Sequence, residues 1–230
     1  MLPDLIEIVP PRGRVDAVVA LPGSKSLTNR ALILAALARG RVELRGAQWS
    51  EDTQAMLECL HRLGFHAAVA DDPDEPSNRT MVVDGLGGAI PNAGTEAAPL
   101  ELFVENAGTA ARFLPPFLCL GRGVWRIDGV ARMRQRPQAA LMRALRELGY
   151  RIDAPGDRFP AVVHGTGPRP GARCAVSVEE SSQFASALLL ARGDGGWDVD
   201  VVGANEDELP YVAMTRTLID EFPHGGGVYG

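Results

Sequence analysis

Residues 21–30 read LPGSKSLTNR, with a lysine between two serines, a glycine just before them and a helical composition just after. That combination suits an anion. Gly23 lets a backbone or ligand approach closely, and Ser24, Lys25 and Ser26 offer donors. The helix predicted by LTNRALILAALARG would add free N–H groups and the positive end of its dipole. A nucleotide P-loop is excluded. G-x-x-x-x-G-K-[ST] needs glycine before Lys25 and again five residues earlier, where the chain has Ser24 and Val19. Plain helix capping by Ser24 or Ser26 is the structural alternative.

Two more clusters of small and polar residues open predicted helices: NAGTAAR, Asn106 to Arg112, and ESSQ, Glu180 to Gln183. Three such helix starts brought together would pool three dipole ends and neutral donors, a site for a polyanion. Gly108 has no side chain, which leaves the backbone approachable. RMRQRP adds Arg132, Arg134 and Arg136 ahead of a further helix, and Arg132 is taken as the arginine that faces inward. WSED, Trp49 to Asp52, reads as a loop with a helix cap, and NEDE, residues 205–208, as a solvated acidic turn. No Ser-His-Asp or Cys-His arrangement and no acidic metal cluster is evident, so anion binding is more legible than catalysis.

These clusters sit at equivalent points of an internal repeat. Helix SLTNRALILAALARG, strand RVELRGA, helix DTQAMLECLHRLGF and strands HAAVAD and RTMVVDG form one series. GTAARFLPPFLCLGRG, VWRIDGV, PQAALMRALRELGY, RIDAP and AVVHGTG form a second, with Pro115 and Pro116 expected to bend or shorten its first helix. SSQFASALLLARG, WDVDVVG and PYVAMTRTLIDEF begin a third. The period of roughly eighty residues is too long for a solenoid and predicts one globular domain of three similar α/β units, helices inside and sheets outside. After DEF the repeat calls for two more strands, so the third unit is expected to be incomplete.

Composition sets the outer limits. The 230 residues are 46% hydrophobic and 23% charged, ordinary for a globular chain. The net charge of −6 gives no support to a nucleic-acid partner. The three cysteines, Cys59, Cys119 and Cys174, are odd in number and far apart, with neither a metal-ligand pattern nor a disulfide framework, as expected for a reducing cytoplasm. The four histidines are scattered and none is assigned as a ligand. The stretch MLPDLIEIVPPRGR has no apolar signal core, and no run approaches a membrane span.

Taken together, LPGSKSLTNRA, NAGTAAR, RMRQRP and SSQF-ALLL resemble the 5-enolpyruvylshikimate-3-phosphate synthase family, in order and with family-like spacing from about residue 8 to about 222. The resemblance implies the enolpyruvyl transferase-like fold, two domains of three βαβαββ units each, of which this chain would be the N-terminal one. Residues 1–22 would be a strand and crossover segment. Residues 23–230 would be one domain with repeats at about 23–90, 100–167 and 174–230, and the C-terminal domain would be absent.

The reaction so implied joins phosphoenolpyruvate to the 5-hydroxyl of shikimate 3-phosphate and releases phosphate, with no metal or organic cofactor. Lys25 and Gln183 would serve catalysis. Ser26, Arg30, Ser181, Ser182, Gln183 and Tyr211 would hold shikimate 3-phosphate. Lys25, Gly108, Arg132 and Gln183 would hold phosphoenolpyruvate. The family's acid–base groups lie in the other half, so the chain alone is expected to be inactive. Three positions depart from the family pattern: Glu208 where a phosphate-contacting serine is usual, Phe113 for a proline beside Gly108, and Ala131 for a proline before Arg132. Two alternatives remain. One is a non-catalytic half that binds a phosphorylated metabolite or pairs with a separately encoded second half. The other is a UDP-N-acetylglucosamine enolpyruvyl transferase, disfavoured by the SSQ motif and by the lack of a cysteine near RMRQRP.

Overall fold

A computed structural model describes residues 5–19 and 21–230. Chain order is α1 Lys25–Leu37, β1 Arg41–Gln48, α2 Glu51–Arg62, β2 Ala67–Asp71, β3 Asn78–Asp84, β4 Leu100–Phe103, α3 Gly108–Cys119, β5 Arg122–Asp128, α4 Ala131–Gln135, α5 Ala139–Glu147, β6 Arg151–Asp153, β7 Ala161–Thr166, β8 Arg173–Ser177, α6 Ser182–Gly195, β9 Asp198–Val202, α7 Leu209–Glu221 and β10 Gly227–Tyr229.

The repeat is real in three dimensions. Its first helices, α1, α3 and α6, form the centre. In α1 every residue from Thr28 to Leu37 is buried, and α3 is buried throughout. A helix surrounded by protein needs apolar residues on all sides, which is why ALILAAL and FLPPFLC show no polar stripe. The second helices lie outside them and are amphipathic. Met56, Leu57 and Leu60 of α2 and Leu141, Met142 and Leu145 of α5 face inward. Pro115 and Pro116 are accommodated within α3, which runs unbroken to Cys119 but ends a turn earlier than the sequence predicts.

The sheets lie on the outside. One has the order β10-β1-β3-β2 and another β4-β5-β7-β6. In each, the first strand pairs in parallel with the second, which pairs antiparallel with a hairpin. The third sheet is the parallel pair β8-β9 alone among the described residues. The repeat calls for two strands of the third unit after α7, and the sequence reading expected them to be missing. The chain passes through residues 222–226 to β10, which joins β1 of the first unit in the place that β4 takes beside β5. Strands β4, LELF, and β8, RCAVS, were not read from the sequence. The strand expected within residues 1–22 is not formed over residues 5–19, which have no pairing partner among the described residues and are exposed. Residues 1–4 and 20 lie outside the described residues.

Candidate functional site

The three polar helix starts converge. Asn29 Nδ2 of α1 donates to Thr109 Oγ1 of α3 over 2.6 Å. Arg112 of α3 donates to Gln183 Oε1 of α6 over 2.7 Å. Arg30 of α1 reaches both α6 and α7, donating to Ser186 Oγ at 3.1 Å and Thr215 Oγ1 at 2.7 Å. Between the helix starts lies a cavity of about 260 Å³ lined by Lys25, Ser26, Asn106, Gly108, Arg136 and Gln183, with Glu51, Asp52 and Glu105 on its acidic side.

Local structure explains these positions. Ser24 caps α1, its Oγ accepting the Leu27 N–H at 3.4 Å. Gly23 has a role the sequence did not show. A Cβ there would collide with the Gly46 carbonyl of β1, and the Gly23 N–H donates to Asn78 Oδ1 at 2.7 Å. The glycine therefore seats the loop against the first sheet rather than making room for a ligand. Lys25, half-exposed, pairs with Asp52 at 3.2 Å, so WSED supplies a partner as well as the helix cap at Ser50.

Gly108 opens α3, and the space a Cβ would take lies within 2.7 Å of both Arg136 terminal nitrogens. Of the three alternating arginines, Arg136 is the one at the cavity. Arg134 is held by Asp128 with bonds of 2.9 and 2.8 Å, and Arg132 is exposed and does not line the cavity. The short helix α4 causes this sorting. Met133 is its buried anchor, so Arg132 and Arg134 turn outward, and Arg136, extended just after the helix, returns to the cavity. No periodicity in the sequence marks the five-residue α4.

Two guanidinium groups are buried. Arg30 is 1% exposed, stacks 5.1 Å from the Phe113 ring and also donates to the Ser26 carbonyl at 2.9 Å. Burial lowers its pKa to about 10, with Tyr211 acting in the opposite direction. Arg112 is 4% exposed and packs 5.3 Å from the Phe184 ring. Burial, and then Arg136, lower it to about 10 while Glu208 opposes the change. Both remain cationic at neutral pH. Among the described residues neither makes an ion pair, and Arg112 Nε and Asn29 Oδ1 are buried without a protein hydrogen-bond partner. Buried cations without carboxylates make the region receptive to an anion.

At α6, Ser181 is the N-cap and its Oγ accepts the Gln183 N–H at 3.3 Å. The Ser182 N–H donates to Glu208 Oε2 at 2.6 Å. The acidic turn is thus engaged with the site, contrary to its reading as merely solvated. Tyr211 is 48% exposed on the first turn of α7. A larger groove of about 920 Å³ beside α2 and β4 is lined by Glu51, Glu58, Glu101, Glu105 and Asp128 against Arg62 and Arg126, a poor setting for an anion.

The comparisons with known proteins converge on one family. Residues 9–224 match the profile of EPSP synthase (3-phosphoshikimate 1-carboxyvinyltransferase). The chain belongs to the EPSP synthase family. A 3-phosphoshikimate 1-carboxyvinyltransferase of Opitutus terrae is 43% identical over 225 residues, 96% of this chain and 50% of the relative. One of Rhizobium etli is 39% identical over 219 residues, 94% of this chain and 49% of the relative. This EPSP synthase family member therefore spans about half the length of the curated relatives it matches.

The fold agrees. An EPSP synthase structure from Acinetobacter baumannii matches with a TM-score of 0.62 at 24% identity, over 75% of this chain and 37% of that one. The enolpyruvyl transferase NikO from Streptomyces tendae matches with a TM-score of 0.55 at 15% identity, over 86% of this chain and 42% of that one.

Of the residues that the sequence singles out, Lys25, Ser26, Gly108 and Gln183 line one cavity, Arg30, Ser181 and Ser182 lie at α6, and neither Tyr211 nor Arg132 lines the cavity. The free cysteines are all buried, and burial raises their thiol pKa values, Cys59 to about 12 and Cys174 to about 11. None is poised as a nucleophile. Among the described residues no group of three or more His, Cys, Asp or Glu is placed to hold a metal, and no helix is long and apolar enough to cross a membrane.

Proposed function

We propose that the chain is the N-terminal half of a cytoplasmic 3-phosphoshikimate 1-carboxyvinyltransferase and supplies the binding surface for shikimate 3-phosphate and phosphoenolpyruvate. The convergence of Lys25, Ser26, Gly108, Arg136 and Gln183 on one cavity carries this reading. Lys25 and Arg136 would hold the phosphoenolpyruvate anion, with Arg136 beside Gly108 where the sequence pointed to Arg132. Ser26, Ser181, Ser182 and Gln183 would orient the ring and Tyr211 would pack on it, with Arg30 fixing α1, α6 and α7 around them. Such a site lowers the barrier by positioning two anions and by meeting developing charge with fixed donors.

The proton transfers are assigned to acid–base groups of the other half, as the family resemblance implies; of the carboxylates at this cavity, Asp52 is paired with Lys25. The other half of the enzyme, on the same or a separate chain, is the partner that would supply them. Phosphate release from shikimate 3-phosphate and phosphoenolpyruvate tests the reading. The purified chain should give none, and addition of the C-terminal half of the Opitutus terrae relative should restore it. Turnover by the chain alone, or none with any complementary half, would contradict it.

A further inference from the structure

We propose that Gln138 is a positioning residue for the anion site, and that its amide and Arg112 Nε share a buried water which fixes the Arg112 guanidinium behind the cavity wall. The inference rests on the phosphoenolpyruvate reading given above and adds to it a residue that does not itself line the cavity.

Gln138 is fully buried, yet neither Oε1 nor Nε2 has a protein hydrogen-bond partner. Turning the amide over exchanges the two atoms and cures nothing, because both ends are unpaired. The residue is the N-cap of α5, but its side chain does not cap the helix. A methionine or leucine would fill such a place without desolvating an amide. A glutamine there calls for a partner other than protein.

Arg112 supplies the rest of the water site. Its Nη1 donates to Gln183 Oε1 at 2.7 Å and to the Gly108 carbonyl at 3.4 Å, and its Nη2 to the Pro137 carbonyl at 3.5 Å. Nε is the one nitrogen of this guanidinium that is buried without a protein partner. The Pro137 carbonyl belongs to the peptide that leads into Gln138, so one peptide links the two unpaired side chains. A buried water needs two to four polar partners. The Nε–H, the two ends of the glutamine amide and the second lone pair of the Pro137 carbonyl offer them, with donors and acceptors both present.

The consequence for the site runs through Arg112. This residue holds Gln183 and the Gly108 carbonyl, and both Gln183 and Gly108 belong to the cavity wall. At Gly108 the space a Cβ would take lies 2.9 Å from Arg112 Nη1 and 2.7 Å from Arg136 Nη1, so two cations converge on one point. Burial, and then the Arg136 charge, work against the Arg112 cation. Neutral acceptors must hold it there against repulsion until an anion joins the pair. The contact with Pro137 is long, and a water on Nε fixes the plane of the guanidinium where that contact alone does not.

Nuclear magnetic resonance of the labelled chain and of Gln138→Met tests the assignment. In the wild type the Arg112 Nε–H should show cross-relaxation with a long-lived water. In Gln138→Met that signal should vanish, and the side-chain amide signal of Gln183 should move although no ligand is present. Phosphoenolpyruvate, titrated by calorimetry, should bind the folded variant about fivefold more weakly. A merely structural glutamine would alter the melting temperature and leave the Gln183 signal in place.

No water contact at Arg112 Nε in the wild type would overturn the inference, whether or not the variant folds. So would a folded Gln138→Met with Gln183 unmoved, or with undiminished phosphoenolpyruvate affinity. A wild type that binds no phosphoenolpyruvate while the water contact and the Gln183 response both appear would reject the ligand reading and leave the positioning of Arg112 by Gln138 standing.

Discussion

Arg112 donates to Gln183 Oε1 over 2.7 Å, and this bond joins α3 to α6 across the centre of the candidate site. The guanidinium is buried, meets a neutral oxygen rather than a carboxylate, and has Nε without a protein partner. The site is thus pre-formed around a positive charge that the protein itself does not neutralise by direct contact. Gln183 both positions that charge and lines the cavity.

Removing the acceptor should expose that dependence. Gln183→Ala leaves a buried N–H of Arg112 unpaired, at a cost of about 1–3 kcal/mol. Urea denaturation should show a lower midpoint with an unchanged slope. Gln183→Glu offers a carboxylate in the same place and should be at least as stable as the wild type, while the added negative charge weakens phosphoenolpyruvate binding.

Arg30→Ala should act mainly on stability. The variant loses bonds to Thr215, Ser186 and the Ser26 carbonyl and leaves a void beside Phe113. The two hydroxyls still bond each other at 2.9 Å, and Thr215 keeps the Tyr211 carbonyl at 2.8 Å, which limits the loss to roughly 2–4 kcal/mol. Loss of ligand binding in this variant counts as a site effect only if circular dichroism shows a folded protein.

Lys25 and Asp52 give the opposite balance. Their pair is solvent-exposed, so Asp52→Asn should change stability by less than about 1 kcal/mol. The substitution frees Lys25 and should tighten phosphoenolpyruvate binding at low salt. Lys25→Ala should weaken it about tenfold or more with little change in melting temperature. Parallel titration and thermal denaturation would separate the two effects.

Acid sensitivity should trace in part to Asp128. Burial alone would raise its carboxyl, but hydrogen bonds from Arg134 and the Gly129 N–H, with the Arg134 and Arg126 charges, outweigh burial and hold it below the usual carboxylate range. A depressed folded value contributes stability above the unfolded pKa of about 3.9, and that contribution is lost as pH falls through the folded value. Asp128→Asn should lower the melting temperature at neutral pH and flatten its decline below about pH 4. An unchanged decline would remove Asp128 from the account.

Much of the architecture could be read from the chain because each repeat carries its own periodicity. ALILAAL, LECLHRL and LMRALREL predict their helices, and the polar starts at Ser24, Asn106 and Ser181 mark where the helices meet. The first strands of the second and third units, β4 and β8, went unread although the equally short β2 and β6 did not. The first strand of unit one comes from residues 227–229, a long-range pairing with no local signal. Arg136 and Asp52 were obscured for a similar reason. Their roles depend on α4 turning one arginine inward and on α2 meeting α1, neither of which has a mark in the spacing of charges. Glu208 was visible as a departure from the family pattern, but its bond to Ser182 depends on how α7 packs against α6.

The central claim is that the three helix starts form one ligand site, and amide chemical shifts during titration test it most directly. On addition of shikimate 3-phosphate and then phosphoenolpyruvate to the isotopically labelled chain, the signals of Ser26, Gly108 and Gln183 should move together and saturate at a common concentration for each ligand. Shifts confined to the acidic groove beside α2, or no saturable change in a folded protein, would contradict the account.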